Sequence, residues 1–289
     1  MAPSIASLHI YPVKSCRGIA LERSPVGERG LAFDREWMIV DGNGRFVTQR
    51  DVPQLALVEP SLTTAALELK APGSGRLTVA LGFDGPARPV TVWRDSIPAI
   101  DQGDEAAAWL SSALRLPLRL VRFDLAVRRY CDETYAGKAG AHTAFADAYP
   151  LLILSEASLA DLNARLEVSL PMNRFRPNVV VSGIDAYDED HIDEIRVGGL
   201  AFKLVKHCTR CQITTTDQST AAVGMEPLST LARYRMNAEL GGVTFGMNAV
   251  VAAGAGLVIH RGDRASCAFR FWPFLRRPGG GQRESAQPG

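Results

Sequence analysis

Up to about Asp101 the chain runs in short apolar stretches broken by Gly, Pro, Asp and Asn, the spacing of an all-β region. The runs predict strands at 5–13, 19–26, 36–40, 45–50, 55–59, 66–70, 76–81 and 90–94. Asp41-Gly42-Asn43-Gly44 predicts a tight hairpin, because Asn and Gly tolerate the positive φ such turns need, and 71–75 predicts a second turn. At 104–116 the period changes. Trp109, Leu110, Ala113 and Leu114 fall on one helical stripe, with Asp101 or Gly103 as entry and Pro117 as stop. This helix is expected to lead from the all-β part to a second domain. There the pattern predicts a strand at 118–123, a polar loop near a site at 132–148, and a buried strand at 151–154. A helix capped by Ser155 follows, with Leu159, Leu162 and Leu166 as its core face. Further strands are expected at 178–181, 194–197, 201–206 and 212–216, then a short helix at 228–234 and a strand pair around 249–252 and 256–259. Residues 276–289 are rich in Gly, Pro and Gln with little apolar to bury, so a disordered tail is expected.

A chain of 289 residues can bury a sizeable core as one large domain or two smaller ones. With 32 Lys and Arg against 31 Asp and Glu, nothing points to nucleic acid or a membrane surface, and an anionic ligand must be held by a local basic cluster. The five cysteines, 16, 131, 208, 211 and 267, are odd in number and scattered, unlike a secreted disulfide framework. With no apolar leader in the first twenty residues and no span-length apolar stretch, a cytoplasmic protein is expected.

The candidate chemistry centres on His207-Cys208-Thr209-Arg210-Cys211 and the threonine run after it. The thiolate is the reactive, metal-binding form of cysteine, and a neighbouring cation favours it. A C-x-x-C pair has three readings: half a zinc site, for which no second pair exists here; a redox dithiol, without the usual strand-to-helix setting; or two small hydrophobes in a core. Arg174, Arg176 and Asn178 lie at period two, so on an extended segment, kept rigid by Pro177, they share a face that is either solvated or ligand-binding. If 33–37 is extended, Arg35 sits among Phe33 and Trp37 and needs a partner, either a ligand or an ion pair with Asp34 or Glu36. Lys14 and Ser15 end the first strand, where an ammonium and a hydroxyl suit a phosphate, although such lysines are more often solvated. Cys16 reads as structural. Asp147, before Tyr149-Pro150, is equally an Asx turn or a functional acid.

The 207–217 segment, the approach Arg174-Phe175-Arg176-Pro177-Asn178-Val179-Val180-Val181, and the N-terminal Tyr11-Pro12-Val13-Lys14-Ser15-Cys16-Arg17-Gly18 with Phe33-Asp34-Arg35-Glu36-Trp37 together resemble the MOSC family, named for the molybdenum-cofactor sulfurase C-terminal domain. Within it the likeness is to reductases of amidoximes and N-hydroxylated base analogues, and it extends to about Arg270. The resemblance implies a β-rich α+β protein: an N-terminal β-barrel-like domain with its linking helix at 1–121, packed on a MOSC β-barrel with peripheral helices at 122–275, before the tail at 276–289. It implies that Cys211 is the single protein thiolate on the molybdenum of a pterin cofactor, a suitably soft ligand. It assigns Lys14, Ser15, Arg35, Arg174, Arg176, Asn178 and Arg210 to cofactor binding, so that one ligand would clamp both modules. It makes Asp147 the acid near the metal that hands protons to a leaving oxygen. The chain departs from the eukaryotic reductases at Ala148 and Tyr149, where those have small hydroxyl residues, which bears on the substrate. The family as a whole also has an association with pyridoxal phosphate, to which no residue here is assigned.

The implied reaction is two-electron reduction of N-hydroxylated small molecules, with electrons from a separate reductase or iron–sulfur protein, since no cysteine follows Cys267 to hold a C-terminal [2Fe–2S] cluster. Two alternatives remain open: a sulfur carrier using a Cys211 persulfide, and a non-catalytic carrier of the molybdenum cofactor.

Overall fold

A computed structural model of the chain describes residues 2–138 and 140–270; the expected disordered tail at 276–289 lies outside the described residues. The fold is β-rich α+β. Its largest sheet has nine strands, eight of them in the order Ile19–Leu21, Ser4–Ile10, Val179–Ser182, Leu151–Ser155, Gly242–Ala253, Leu200–Thr209, Ile192–Val197 and Ser266–Phe269, with Met236–Asn237 added on Gly242–Ala253. The sheet curls until Ile5 N donates to Asp263 O and Ala265 N to Pro3 O. Ile5, Leu8, Ile10, Ile153, Val179, Ile195, Phe202 and Met247 fill its inside. Leu151–Ser155 is buried at all five positions because it is covered on both faces. Ile153 faces the barrel interior, and Leu154 meets Phe175, Phe245 and Leu162 of an outer cluster.

Most of the remaining N-terminal strands form a four-stranded sheet, Trp37–Val40, Arg119–Phe123, Asp95–Asp101 and Ala87–Val92, and a meander of Glu59–Leu62, Ala66–Ala71 and Ser74–Ala80. The helix Gly103–Leu114 buries Ala106 and Leu110 against them and ends at Arg115, in the left-handed region. The strand that follows it, Arg119–Phe123, lies between two N-terminal strands, so the helix is embedded in this module. The first strand, by contrast, is built into the large sheet, antiparallel to Val179–Ser182. That pairing, extended by His9 N donating to Asn178 O at 2.9 Å, sets residues 11–16 beside 176–178.

The hairpin at 41–44 forms as its sequence indicates, with Asp41 Oδ1 accepting from Asn43 N and Arg45 N, and Gly44 at φ 77°. Ser155 caps Glu156–Asn163 by accepting from Ser158 N. Several expected strands are corrected. Residues 212–216 are a 3₁₀ turn, Gln212–Thr215, because Thr214 and Thr215 hydroxyls donate back to Cys211 O and Gln212 O and curl the chain. At 55–59 the chain forms a 3₁₀ turn, Pro53–Leu57, entered through the fixed φ of Pro53, before the strand Glu59–Leu62. Residues 45–50 make only isolated bridges, Arg45 to Thr91 and Phe46 to Val40, before a turn in which Asp51 accepts from Thr48 N. Around 249–259 no strand pair forms; Gly242–Ala253 is one long strand, and Val258–His260 pairs with Arg23–Gly27. The described residues of the polar stretch 132–148 are irregular apart from the one-turn helix Glu133–Ala136 and the short strand His142–Thr143.

The two arginine segments also depart from the extended reading. Phe33 and Arg35 have φ of 64° and 50°, so 33–36 is a turn and only Trp37 onward is strand. Met172–Arg174 is a 3₁₀ turn and Arg176 has φ 57°, so Pro177 does not keep Arg176 extended, and Arg174 and Arg176 do not share a face.

Candidate cofactor cleft

The bridge between Val13 and Trp37, and Lys14 N donating to Trp37 O at 2.8 Å, fix the end of the first strand at the module boundary. From there Lys14, 6% exposed, sends Nζ to Phe145 O at 2.8 Å and to Asp147 Oδ1 at 2.5 Å. Ser15 follows at φ 67°, and its carbonyl accepts from Gln49 Nε2 at 2.7 Å. Arg35 reaches across to Asn178 Oδ1 at 3.0 Å and Arg176 O at 3.2 Å, and pairs with Asp34 at 2.5 Å, one of the two carboxylate partners expected; Glu36 pairs with Arg122 instead. Arg176 donates to Cys16 O at 2.7 Å. Buried Tyr11 carries both guanidiniums on its ring, Arg35 at 4.3 Å and Arg176 at 4.2 Å, and donates its hydroxyl to Pro177 O. Gly18 is required here, since a Cβ would come within 2.4 Å of that ring.

Of these residues, Lys14, Ser15, Arg35, Asp147, Arg176 and Asn178 line one open cleft. Lys14, Ser15, Arg35 and Asp147 come to it from the N-terminal part and the 132–148 loop; Arg176, Asn178, Arg210 and Cys211 come from the MOSC-side elements. Arg174 is not in its lining. It is turned away, donating to Thr214 O at 2.9 Å and Glu226 O at 3.1 Å, and so braces the turn that carries Cys211. Cys211 is exposed at the start of that turn, and Cys208 lines the same wall with Arg210 Nη1 2.9 Å from its sulfur. Cys16 is wholly buried, burial pushing its thiol up to about 12, as befits a structural residue.

Sequence patterning gave no sign of four other contributors. Arg129, 8% exposed, donates to Ala144 O, Ala146 O and Asp147 O and so pins the loop bearing Asp147, with Asp95 balancing its charge. Gln49 and Gln218, both buried, exchange reciprocal amide hydrogen bonds at 3.0 Å across the module boundary. Arg50 lines the cleft, and among the described residues no carboxylate pairs with it. Arg129, Gln49 and Gln218 depend on partners more than a dozen residues away, and Arg50 meets Trp93 only through the fold, which local periodicity does not register.

Ser15, Arg35 and Arg176 are non-glycine residues at positive φ, each costing about 1–2 kcal/mol in backbone energy, and all three line the cleft. Strain held at a polar cleft marks a preorganised site. Burial lowers the Arg176 guanidinium to about 10, partly offset by Tyr11, so it remains charged at neutral pH. Burial also lowers Lys14, but the adjoining Asp147 carboxylate opposes this. For Asp147, what desolvation there is would raise the carboxyl. Its side chain is nonetheless 61% exposed, so that effect is small and the Lys14 and Trp93 contacts hold it below the ordinary carboxylate range. A depressed carboxylate contributes stability present above its unfolded pKa and lost as pH falls through its folded value. In the cofactor-free protein, a carboxyl-resolved NMR titration is expected to find Asp147 ionised below pH ~3.8. Replacing Lys14 by Met is expected to move that midpoint upward; an unchanged midpoint would show that Lys14 does not govern it.

Five cations, Lys14, Arg35, Arg50, Arg176 and Arg210, face one carboxylate in the lining. Arg210 Nε is buried without a hydrogen-bond partner, a donor left for something the side chains do not supply. Among the described residues no three His, Cys, Asp or Glu side chains converge as a metal cage. The donor set is thus two thiols, Cys211 exposed and Cys208 partly covered by Arg210, beside an anion-binding floor, which fits an anionic organic ligand carrying a soft metal. The fold is β-rich, and its N-terminal part and its second half meet at one basic cleft. The chain belongs to the MOSC family: residues 2–117 match the MOSC N-terminal beta barrel domain and residues 140–266 match the MOSC domain. It is similar to mitochondrial amidoxime reducing component 2 of Bos taurus, 37% identical over 243 residues covering 81% of this chain and 72% of that protein. To mitochondrial amidoxime-reducing component 1 of Homo sapiens it is 37% identical over 242 residues, covering 80% and 72%. No helix among the described residues is long and apolar enough to cross a membrane.

Proposed function

We propose that this protein is a molybdenum-cofactor-dependent reductase of N-hydroxylated compounds. The observation that carries this reading is the convergence of one exposed thiol, Cys211, with five cations at a module junction, in a chain similar to amidoxime-reducing components over four fifths of its length. Cys211 would hold the metal through its thiolate. Arg176, Arg35, Arg210 and Lys14 would grip the phosphate and pterin, Ser15 would add a hydroxyl, and Asn178 would read the pterin edge. When bound, the molybdenum pterin would supply the two-electron couple.

The reaction balances as R–NHOH + 2e⁻ + 2H⁺ → R–NH₂ + H₂O, with the N–O bond broken and the oxygen leaving as water. The electrons come from a separate donor protein. Asp147, ionised beside Lys14 and open to solvent, accepts a hydrogen bond from the N-hydroxyl group; of the two protons, both drawn from solvent, one passes through the Lys14–Asp147 pair to the departing oxygen and the other goes to the nitrogen. Asp147 therefore relays protons rather than storing one. The closed floor, pinned by Arg129, keeps this pair in register.

Protein made in cells that synthesise the cofactor is expected to carry close to one molybdenum per chain and to convert benzamidoxime to benzamidine with an artificial reductant. Bound molybdenum without turnover of any N-hydroxylated compound would instead identify a carrier, and cyanide-releasable sulfur without molybdenum a persulfide protein.

A further inference from the structure

Trp93 is the first central residue of the two-residue turn joining Ala87–Val92 to Asp95–Asp101, where Val92 pairs with Asp95. Its φ is 56°, a conformation such turns ordinarily give to Gly or Asn. A bulky side chain there is an outlier that tertiary contacts must maintain. Two of the three contacts that hold it are made to residues of the cleft lining. Trp93 Nε1 donates to Asp147 Oδ1 at 3.0 Å, the Arg50 guanidinium lies 4.7 Å from the indole, and Phe46 meets it at 5.2 Å with the rings tilted by 53°. Asp147 and Arg50 are lining residues, and Trp93 still leaves 45% of its surface in solvent. Arg50 is steadied by Thr48 Oγ1 at 3.2 Å and, among the described residues, has no carboxylate to neutralise it.

We infer that Trp93 and Arg50 form a stacking rim that selects planar aromatic and heteroaromatic substrates, with the N-hydroxyl group directed past the rim to Asp147. The inference rests on the reductase reading for the identity of the reacting group, but the rim itself is defined by geometry. An indole and a guanidinium present flat π-faces that accept any planar ring without reading its edge. The Nε1 bond to Asp147 shows that the indole lies beside the carboxylate, so a ring seated on the rim sits next to the proton relay. A small substrate such as hydroxylamine has no ring to place there and reaches Asp147 without the rim. Trp93 is thus a specificity-determining residue and Arg50 its positioning partner.

Two variants separate the stacking role from the hydrogen bond. Trp93→Phe keeps a flat ring and loses the donor to Asp147; Trp93→Leu loses both. Turnover of benzamidoxime and of hydroxylamine is compared as a ratio of kcat/KM values. The ratio is expected to hold within about twofold in Trp93→Phe. In Trp93→Leu it is expected to fall at least about fivefold, within the roughly 5- to 150-fold that loss of base–aromatic stacking costs. An unchanged ratio in Trp93→Leu would overturn the proposal. Calorimetric binding of adenine, a planar product analogue that undergoes no turnover, gives the second reading. Its Kd is expected to rise by a similar factor in Trp93→Leu and not in Trp93→Phe, and equal affinity in all three proteins, or no binding to any, would also overturn it. If neither N-hydroxylated compound is turned over by the wild type, the reductase reading fails, while the adenine series still decides whether the rim exists.

Discussion

Cys211→Ala is expected to purify with less than about one hundredth of the wild-type molybdenum and to show no measurable reduction of benzamidoxime. Losing a residue that only supports a metal ligand typically costs 10–100-fold, and removal of the sole protein ligand costs more. The substitution should leave the fold intact. Cys211 is exposed at the edge of a turn whose closing hydrogen bonds, from Thr214 N and Oγ1, go to its backbone carbonyl rather than its sulfur. Cofactor-free Cys211→Ala should therefore melt within about 0.5 kcal/mol of wild type in stability, as surface substitutions usually do. Cys208→Ala provides the contrast. Its sulfur is half-buried against Arg210, so its loss should loosen Arg210 and weaken cofactor retention by a smaller factor than loss of Cys211. Metal analysis and thermal unfolding of the two variants check both statements, and full retention of molybdenum by Cys211→Ala would remove the thiolate from the account.

Arg176→Gly is expected to separate folding from ligand binding. Arg176 occupies the left-handed region, where glycine carries no penalty and other residues cost about 1–2 kcal/mol. The same substitution gives up the bond to Cys16 O and the stack on Tyr11, together worth about 2–3 kcal/mol, and removes a buried charge whose desolvation opposed folding. These effects oppose one another, so the stability of cofactor-free Arg176→Gly should stay within about 2 kcal/mol of wild type. Arg176→Ala, with the same lost contacts and no backbone relief, should be about 1 kcal/mol less stable than the glycine variant. Cofactor binding behaves differently. Both variants lose one charge-assisted grip of about 1.5–3 kcal/mol, a roughly 10- to 150-fold drop in retention. Thermal unfolding of the cofactor-free forms beside metal analysis of the loaded forms distinguishes the outcomes. Equal stability of the glycine and alanine variants would mean that the positive φ at 176 carries no strain.

Much of the scaffold could be read locally. The 41–44 hairpin, the 103–114 helix and the Ser155 cap each rest on residues within a few positions of one another, where periodicity and turn chemistry act. The cleft was legible only in its residue types. The basic and thiol residues at 14, 35, 176, 210 and 211 stand out in the sequence, but the reasoning that gave Arg174 a share of the ligand face assumed an extended chain. The 3₁₀ turn at Met172–Arg174 and the left-handed Arg176 rotate Arg174 into the protein instead. The same applies to Arg35 and Trp93: their backbone strain is repaid by Asn178, Tyr11, Asp147 and Arg50, partners brought together only by the fold. The threonine run at 214–216 misled for a different reason. β-branched residues favour strands, but here two hydroxyls bond back to carbonyls three residues earlier, and the resulting turn presents Cys211 to the cleft.

The first strand shows how the modules come to share a site. By position it belongs with the N-terminal part, yet its pairing with Val179–Ser182 puts Lys14 and Ser15 at the seam, and the Gln49–Gln218 amide pair closes the seam from the other side. A ligand gripped from both sides would stabilise the assembly by mass action.

X-ray absorption at the molybdenum edge, recorded on loaded wild-type protein and on whatever metal Cys211→Ala retains, tests the central claim most directly. Three sulfur ligands in the wild type, two from the dithiolene and one from the chain, falling to two in the variant, are predicted. The same sulfur count in both would contradict a bond between Cys211 and the metal.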